Sequence, residues 1–270
     1  MQIPLMRVAL GIEYNGSNFC GWQRQKNAES VQQHVEQCIS QVANTPITVQ
    51  AAGRTDTAVH ATEQVVHFDC DSKRELKAWV MGVNSNLPNS ISVLWAQHVD
   101  QEFNARFSAQ SRRYRYIIFN QTTRPALLDK LVSLQYTKLN LQNMQHAAKH
   151  LIGTHDFTSY RAVACQAKSP VRTIHDIELV KQNEFIFIDI HANGFLHHMV
   201  RNIVGVLIAI GKNEQHQDWS LEVLEKCDRT LGGVTAPPDG LYLVKVQYDE
   251  KYGFNTAIRW PPIAGLNAAR

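Results

Sequence analysis

The chain has little of what commits a protein to a membrane, an oxidising compartment or a cofactor. Its longest apolar stretch, Ile203 to Ile210, spans eight residues and includes Gly205, far short of the roughly 20 that cross a bilayer. Five cysteines stand at 20, 38, 70, 165 and 227 with no Cys-x-x-Cys pair. That odd, scattered set supplies neither a disulfide framework nor a structural zinc site, and it fits a reducing cytoplasm. The opening Met1-Gln2-Ile3-Pro4-Leu5-Met6-Arg7 lacks the basic, apolar and small-residue zones of a secretory signal. No Lys-Ser/Thr follows Gly205 or Gly211, and no His-Glu-x-x-His occurs, so phosphate-loop and zincin chemistry are not indicated. What remains is 44% hydrophobic and 19% charged. That is a soluble globular composition, and 270 residues give core enough for one large domain or two modest ones.

A net charge of +3 selects no partner, but its distribution is uneven. Residues 103–128 contain no acid and carry Arg106, Arg112, Arg113, Arg115 and Arg124. Residues 157–175 are acid-free with Arg161, Lys168 and Arg172, and residues 190–213 with Arg201 and Lys212. Three such windows interleaved with Phe107, Tyr114, Tyr116, Tyr160 and Phe195 tilt the reading towards nucleic acid, where rings stack on bases and Arg meets phosphate. Solvated strand faces would produce any one window alone.

Periodicity supplies the elements. Met6, Val8, Leu10, Ile12 and Tyr14 alternate with Arg7, Ala9, Gly11 and Glu13, a strand pattern. Val31, Val35, Cys38, Ile39 and Val42 follow Ser30 at helical spacing, with Ser30 as N-cap and Asn44 and Pro46 as the stop. Residues 47–52 and 63–69 read as strands, 72–83 as a helix and 91–99 as a strand, giving the ferredoxin-like order β-α-β-β-α-β. A looser copy follows: strand 113–119, helix 141–151, hairpin 173–180 with 184–191, a long apolar helix 195–210, a helix 220–230 and a closing strand 241–248. Linker-like breaks near 100–110 place an N-terminal α+β domain at 1–104 and a C-terminal α+β domain at 105–270.

The most unusual segment is Gly53-Arg54-Thr55-Asp56-Thr57-Ala58-Val59-His60, a polar turn between two apolar strands. Such a loop presents side chains from a rigid support, as catalytic groups require. Arg54 can fork onto the Asp56 carboxylate or onto a phosphate, and an ionised Asp56 is a nucleophile in waiting. An Asx-type turn closed by an Arg54–Asp56 ion pair is the ordinary alternative.

This turn resembles the catalytic motif of the TruA family of tRNA pseudouridine synthases. The resemblance continues through Tyr14-Asn15-Gly16 and Phe19-Cys20-Gly21-Trp22-Gln23-Arg24-Gln25, then Phe103-Asn104-Ala105-Arg106-Phe107 and Arg113-Tyr114-Arg115-Tyr116. It closes with Phe195 to Gly205 and Gly240-Leu241-Tyr242-Leu243. The resemblance implies an enzyme of two ferredoxin-like halves whose antiparallel sheets form a central RNA-binding cleft. It implies isomerisation of uridine to pseudouridine at positions 38, 39 and 40 of the tRNA anticodon stem-loop, without a cofactor or metal, by a cytoplasmic homodimer. Asp56 is then the nucleophile, Tyr114 the ring stacked on the uracil, Arg54 the group that replaces the flipped base, and Arg201 the partner of Asp56. Arg24, Arg106, Arg113 and Arg172 are candidates for the RNA backbone. Ala58 stands where the family usually has Gly, so a positive φ there implies strain of about 1 kcal/mol.

Two other readings have residues behind them. A non-catalytic RNA-binding or RNA-folding module would use the same basic cleft, but binding alone needs no carboxylate facing phosphates. A metal-dependent hydrolase would draw on His155, Asp156, His191, His197 and His198; on the expected helix the last two point about 100° apart, a poor chelate.

Overall fold

The computed structural model describes residues 5–254 and 257–263. Two compact units divide the chain: residues up to Gln110 together with those from Tyr242, and Ser111–Leu241. The first opens with β1 (Met6–Tyr14), α1 (Val31–Ala43), β2 (Gln50–Ala51), β3 (His60–Cys70), α2 (Leu76–Asn84) and β4 (Ile91–Val99). The second holds β5 (Ser111–Asn120), β6 (Ser133–Gln135), α3 (Leu141–Lys149), β7 (Gly153–Asp156), β8 (Val171–Gln182), β9 (Phe185–Ala192), α4 (Met199–Gly211) and α5 (Trp219–Lys226). The last strand, β10 (Leu241–Gln247), lies almost wholly in the first unit.

In the first unit β1 is central, antiparallel to β3 on one side and β4 on the other. The apolar residues of β1 after Met6 and those of β3 are buried, and Phe68 meets Trp79 of α2 edge-on at 5.1 Å. The strand expected over 47–52 shrinks to Gln50–Ala51. The reason is local: the N–H groups of Ile47 and Val49 donate to Ser40 Oγ (2.8 Å) and Glu36 Oε1 (3.0 Å) of α1, not to a strand ladder. Ser30 stands at the N-cap of α1 as expected but its hydroxyl makes no cap bond; it is buried without a partner. Asn44 ends the helix in the left-handed region, at φ 57°.

In the second unit β5, β9, β8 and β7 form an antiparallel sheet, with β6 parallel to the edge of β5. The buried apolar residues of α4 make it the core helix of this unit. Both units are therefore α+β with mainly antiparallel sheets, and the first follows the order β-α-β-β-α-β. Among the described residues no helix is long and apolar enough to cross a membrane.

Two expectations need correcting. The division proposed at 104/105 falls at 110/111, and the closing strand does not belong to the second half. β10 pairs in parallel with β3 through Tyr242–His60 and Leu243–Ala61. Beyond it, Tyr248 and Tyr252 pack on Phe103 at 5.2 and 4.9 Å, and Tyr248 donates to the Ala105 carbonyl at 2.6 Å. Burying those rings holds residues 248–252 to the first unit. The helix expected from Phe195 begins only at Met199, because His198 sits in the left-handed region at φ 61°. His197 and His198 thus precede the helix, with rings 4.0 Å apart, and the 100° argument does not apply to them.

Candidate active site

The loop 53–59 joins β2 to β3, and its start is fastened to β3. Ala52 N–H donates to Val65 O at 2.8 Å, and Gln64 Nε2 to Gly53 O at 2.8 Å. Beyond these bonds burial alternates: Arg54 is exposed, Thr55 buried, Asp56 half-buried and Thr57 exposed. Thr55 is the anchor. Its hydroxyl hydrogen-bonds with Tyr14 Oη at 2.8 Å, and its carbonyl accepts from Trp22 N–H at 3.1 Å. Fixing Thr55 inwards leaves the residues on either side of it, Arg54 and Asp56, directed outwards.

The segment 14–22 braces this loop, a role that sequence reasoning missed. Phe19 O accepts from Ala58 N–H at 3.2 Å. Gly16 N–H donates to His60 Nδ1 at 3.0 Å, and the His60 ring stacks on Tyr242 at 4.6 Å. A Cβ on Gly16 would collide with the Val59 carbonyl, and Gly21, at φ 81°, lies so close that a Cβ would stand 2.6 Å from Thr55 O. Only glycine permits these approaches. The signal was present as two glycines and three aromatic residues in the opening motif, but contacts about 40 residues apart have no periodicity to reveal them.

Ala58 is left-handed, at φ 63°. Since Cβ crowds the following carbonyl there, the position carries strain of about 1 kcal/mol. Ala58→Gly is expected to raise the unfolding free energy, and with it the urea midpoint, by up to about 1 kcal/mol of free energy less the entropy glycine adds to the unfolded chain, with turnover unchanged. A lowered midpoint would show that the loop is unstrained.

In the second unit, β5 carries the remaining candidates. Tyr114 is buried opposite Ile190 and meets Phe195 edge-on at 5.1 Å. Its strand neighbour Arg115 lies on the other face, in a bidentate pair with Asp189 (2.7 and 2.6 Å) and over the Phe187 ring. Tyr116 donates to Pro237 O at 2.9 Å, and burial pushes its phenol far above the usual range, so it stays protonated. Arg201, half-buried on α4, donates from Nε to Ala236 O at 2.8 Å.

The expected RNA-backbone cations differ among themselves. Arg106 is exposed, above the Phe107 ring at 5.3 Å. Arg24 is more than half exposed yet reaches the buried Glu36 carboxylate at 2.9 Å. Arg113 lies 3.7 Å from Asp176. Arg172 donates to the Ser169 and Val171 carbonyls (3.0 and 2.6 Å), and burial lowers its pKa. Arg115, counted in the first basic window, is buried and neutralised. The acid-free windows therefore overstate the charge offered to solvent, because the acids that neutralise them lie elsewhere in sequence.

Comparison with known proteins bears on this site. A family profile described as tRNA pseudouridine synthase matches residues 11–108 and 147–249. The chain is similar to tRNA pseudouridine synthase A of Nitrosococcus oceani, at 55% identity over 247 residues, 92% of this chain and 95% of that one. It is 53% identical over 247 residues to the protein of that name from Shewanella frigidimarina, covering 92% and 95% of the two chains. With that of Pseudomonas aeruginosa the identity is 56% over 247 residues, covering 91% and 87%.

Proposed function

The chain belongs to the tRNA pseudouridine synthase family and is an isomerase acting on tRNA, and from that premise we propose that it converts uridine to pseudouridine at positions 38, 39 and 40 of the anticodon stem-loop. The observation that carries the catalytic part is the inward anchoring of Thr55, which leaves Asp56 directed out of a braced loop. A carboxylate held so serves as nucleophile. The reaction breaks the C1′–N1 bond, rotates the uracil and rejoins it through C5; the C5 proton passes to solvent and N1 takes up a proton in exchange. Asp56 acts either by capturing C1′ or by adding to C6, and in both routes it is released when the C–C glycosidic bond is complete.

The base must leave its stack first, at a cost of a few kcal/mol. Arg54, exposed beside Asp56, suits the backbone and the space the base vacates. Tyr114 supplies a stacking face. Its edge contact with Phe195 fixes the ring plane before substrate arrives. Arg201 is assigned to steady Asp56, and Arg24, Arg106, Arg113 and Arg172 to the phosphates. Both halves are read as ferredoxin-like, and the protein as a cytoplasmic homodimer. Its five cysteines are free, which suits a reducing compartment.

The test uses an unmodified tRNA transcript labelled with tritium at uridine C5, with pseudouridine mapped afterwards. Tritium release confined to positions 38, 39 and 40, undiminished by EDTA once RNA folding is controlled, is the expected result. Modification spread outside the anticodon stem-loop would overturn the positional reading, and loss of turnover on chelation would overturn the metal-free mechanism.

A further inference from the structure

A second cluster of metal-ligating side chains lies within the second unit, among residues to which the proposed reaction gives no role. His146 is in the last turn of α3 and His150 is its C-cap. Residues four apart lie on one helix face, and their rings meet edge-on at 5.1 Å. Asp218 reaches the same point from the N-terminus of α5. Although it occupies the N-cap position, its carboxylate makes no cap hydrogen bond. One oxygen, Oδ1, instead stands 3.0 Å from His146 Nε2 and 3.2 Å from His150 Nε2.

That geometry has two uses. Two imidazole N–H groups can donate to one carboxylate oxygen, which would simply tie two helices together. Alternatively, the three atoms are donors around a common ion. All three lie within 4.8 Å of one another. Around a tetrahedral ion with metal–ligand distances near 2.0–2.1 Å, neighbouring donors stand about 3.3 Å apart. The observed 3.0 and 3.2 Å are thus close to the edges of such a tetrahedron without any movement of the backbone. Both histidines present Nε2 to the same carboxylate oxygen, so the three donor atoms already stand together as a ligand set needs.

We propose that His146, His150 and Asp218 bind one divalent ion of the zinc class and so clamp the end of α3 to the start of α5. Two imidazoles and one carboxylate suit zinc, cobalt or nickel, whereas magnesium and calcium demand a full shell of oxygens. Side-chain exposures of 44%, 24% and 51% for His146, His150 and Asp218 leave the site open to an ion from solvent, with water completing the tetrahedron. Asp218 lies 68 or more residues along the chain from the two histidines, so an ion bound there stabilises the unit only when both helices are in place. Its effect is on stability and not on turnover, which keeps it separate from the metal-free isomerisation proposed above.

The test uses the full chain, stripped of metal by chelation and desalting. Zinc is titrated against a chromophoric competitor, and thermal melting is followed with and without zinc. The double variant His146→Gln/His150→Gln is expected to bind one equivalent less, with a larger loss of affinity than the about 10–100-fold of a merely supporting residue. Zinc is expected to raise the melting midpoint of the wild type and to leave that of the double variant unmoved. Asp218→Asn, which keeps the size of the side chain, is expected to lose the visible absorption of tetrahedral cobalt(II) while tRNA turnover stays at the wild-type level. Equal zinc stoichiometry and equal melting shifts in wild type and variants would place any bound ion elsewhere. That result, like absence of zinc binding by the wild type, would leave the trio as a hydrogen-bonded clamp.

Discussion

Asp56→Asn is expected to abolish isomerisation while leaving folding and tRNA binding in place. The substitution keeps the size of the side chain and most of its hydrogen bonding, and removes only the charge and the nucleophile. A neutral amide cannot replace a carboxylate in the covalent step, so turnover should fall by more than about a thousandfold. Affinity for tRNA should hold or rise slightly, since one negative charge facing phosphate has gone. The melting midpoint should barely move, because Thr55, Ala52 and Ala58 hold the loop through bonds that the substitution leaves intact. Tritium release beside filter binding on the same preparation decides the matter. Turnover within about tenfold of the unsubstituted protein, a barrier change near 1.4 kcal/mol, would end the catalytic assignment. Joint loss of folding, binding and turnover would make Asp56 a turn-stabilising carboxylate.

The largest effect on stability is expected at the Arg115–Asp189 pair. Both side chains are 8% exposed, and they stand opposite each other in the β5–β9 register. Asp189→Asn strands a guanidinium in the interior, which should cost about 3–5 kcal/mol, a large part of the 5–15 kcal/mol that a domain possesses. Arg115→Met combined with Asp189→Leu removes both charges and should recover most of that loss. Urea unfolding measures both variants. A change below about 1 kcal/mol for Asp189→Asn would mean the pair behaves as an exposed one. The pair also pins register: slipping β5 by one residue would turn Tyr114 to the other face of the sheet. Turnover of Asp189→Asn should therefore fall further than its folded fraction.

Much of the fold was legible because it rests on local periodicity. The alternation of β1 located the strand at Met6–Tyr14, and the 173–191 hairpin emerged as β8 and β9 with its ends shifted by a few residues. What failed had tertiary causes. Residues 47–49 carry apolar strand-like alternation, yet Ser40 and Glu36 capture their N–H groups. Phe195 and Leu196 continue the apolar period of α4, yet His198 breaks the helix before them. The candidate site divides in the same way. Gly53-Arg54-Thr55-Asp56 stood out as a polar turn between apolar strands, but nothing in the sequence pattern distinguished Thr55 as the residue that turns inwards.

The sequence by itself determined most of the elements, singled out Asp56 in a polar turn as the candidate carboxylate, and carried the family resemblance. The elements and the turn follow from side-chain period and from residue types at fixed spacing, which are local properties of the chain. Only the tertiary structure decided that β10 joins the first unit, that residues 14–22 brace the Asp56 loop, and that Arg115 belongs to the interior. It alone brought His146 and His150 to Asp218. Each of those outcomes is a pairing between residues tens or hundreds of positions apart, selected by burial and by satisfaction of polar groups, and neither leaves a period in the sequence.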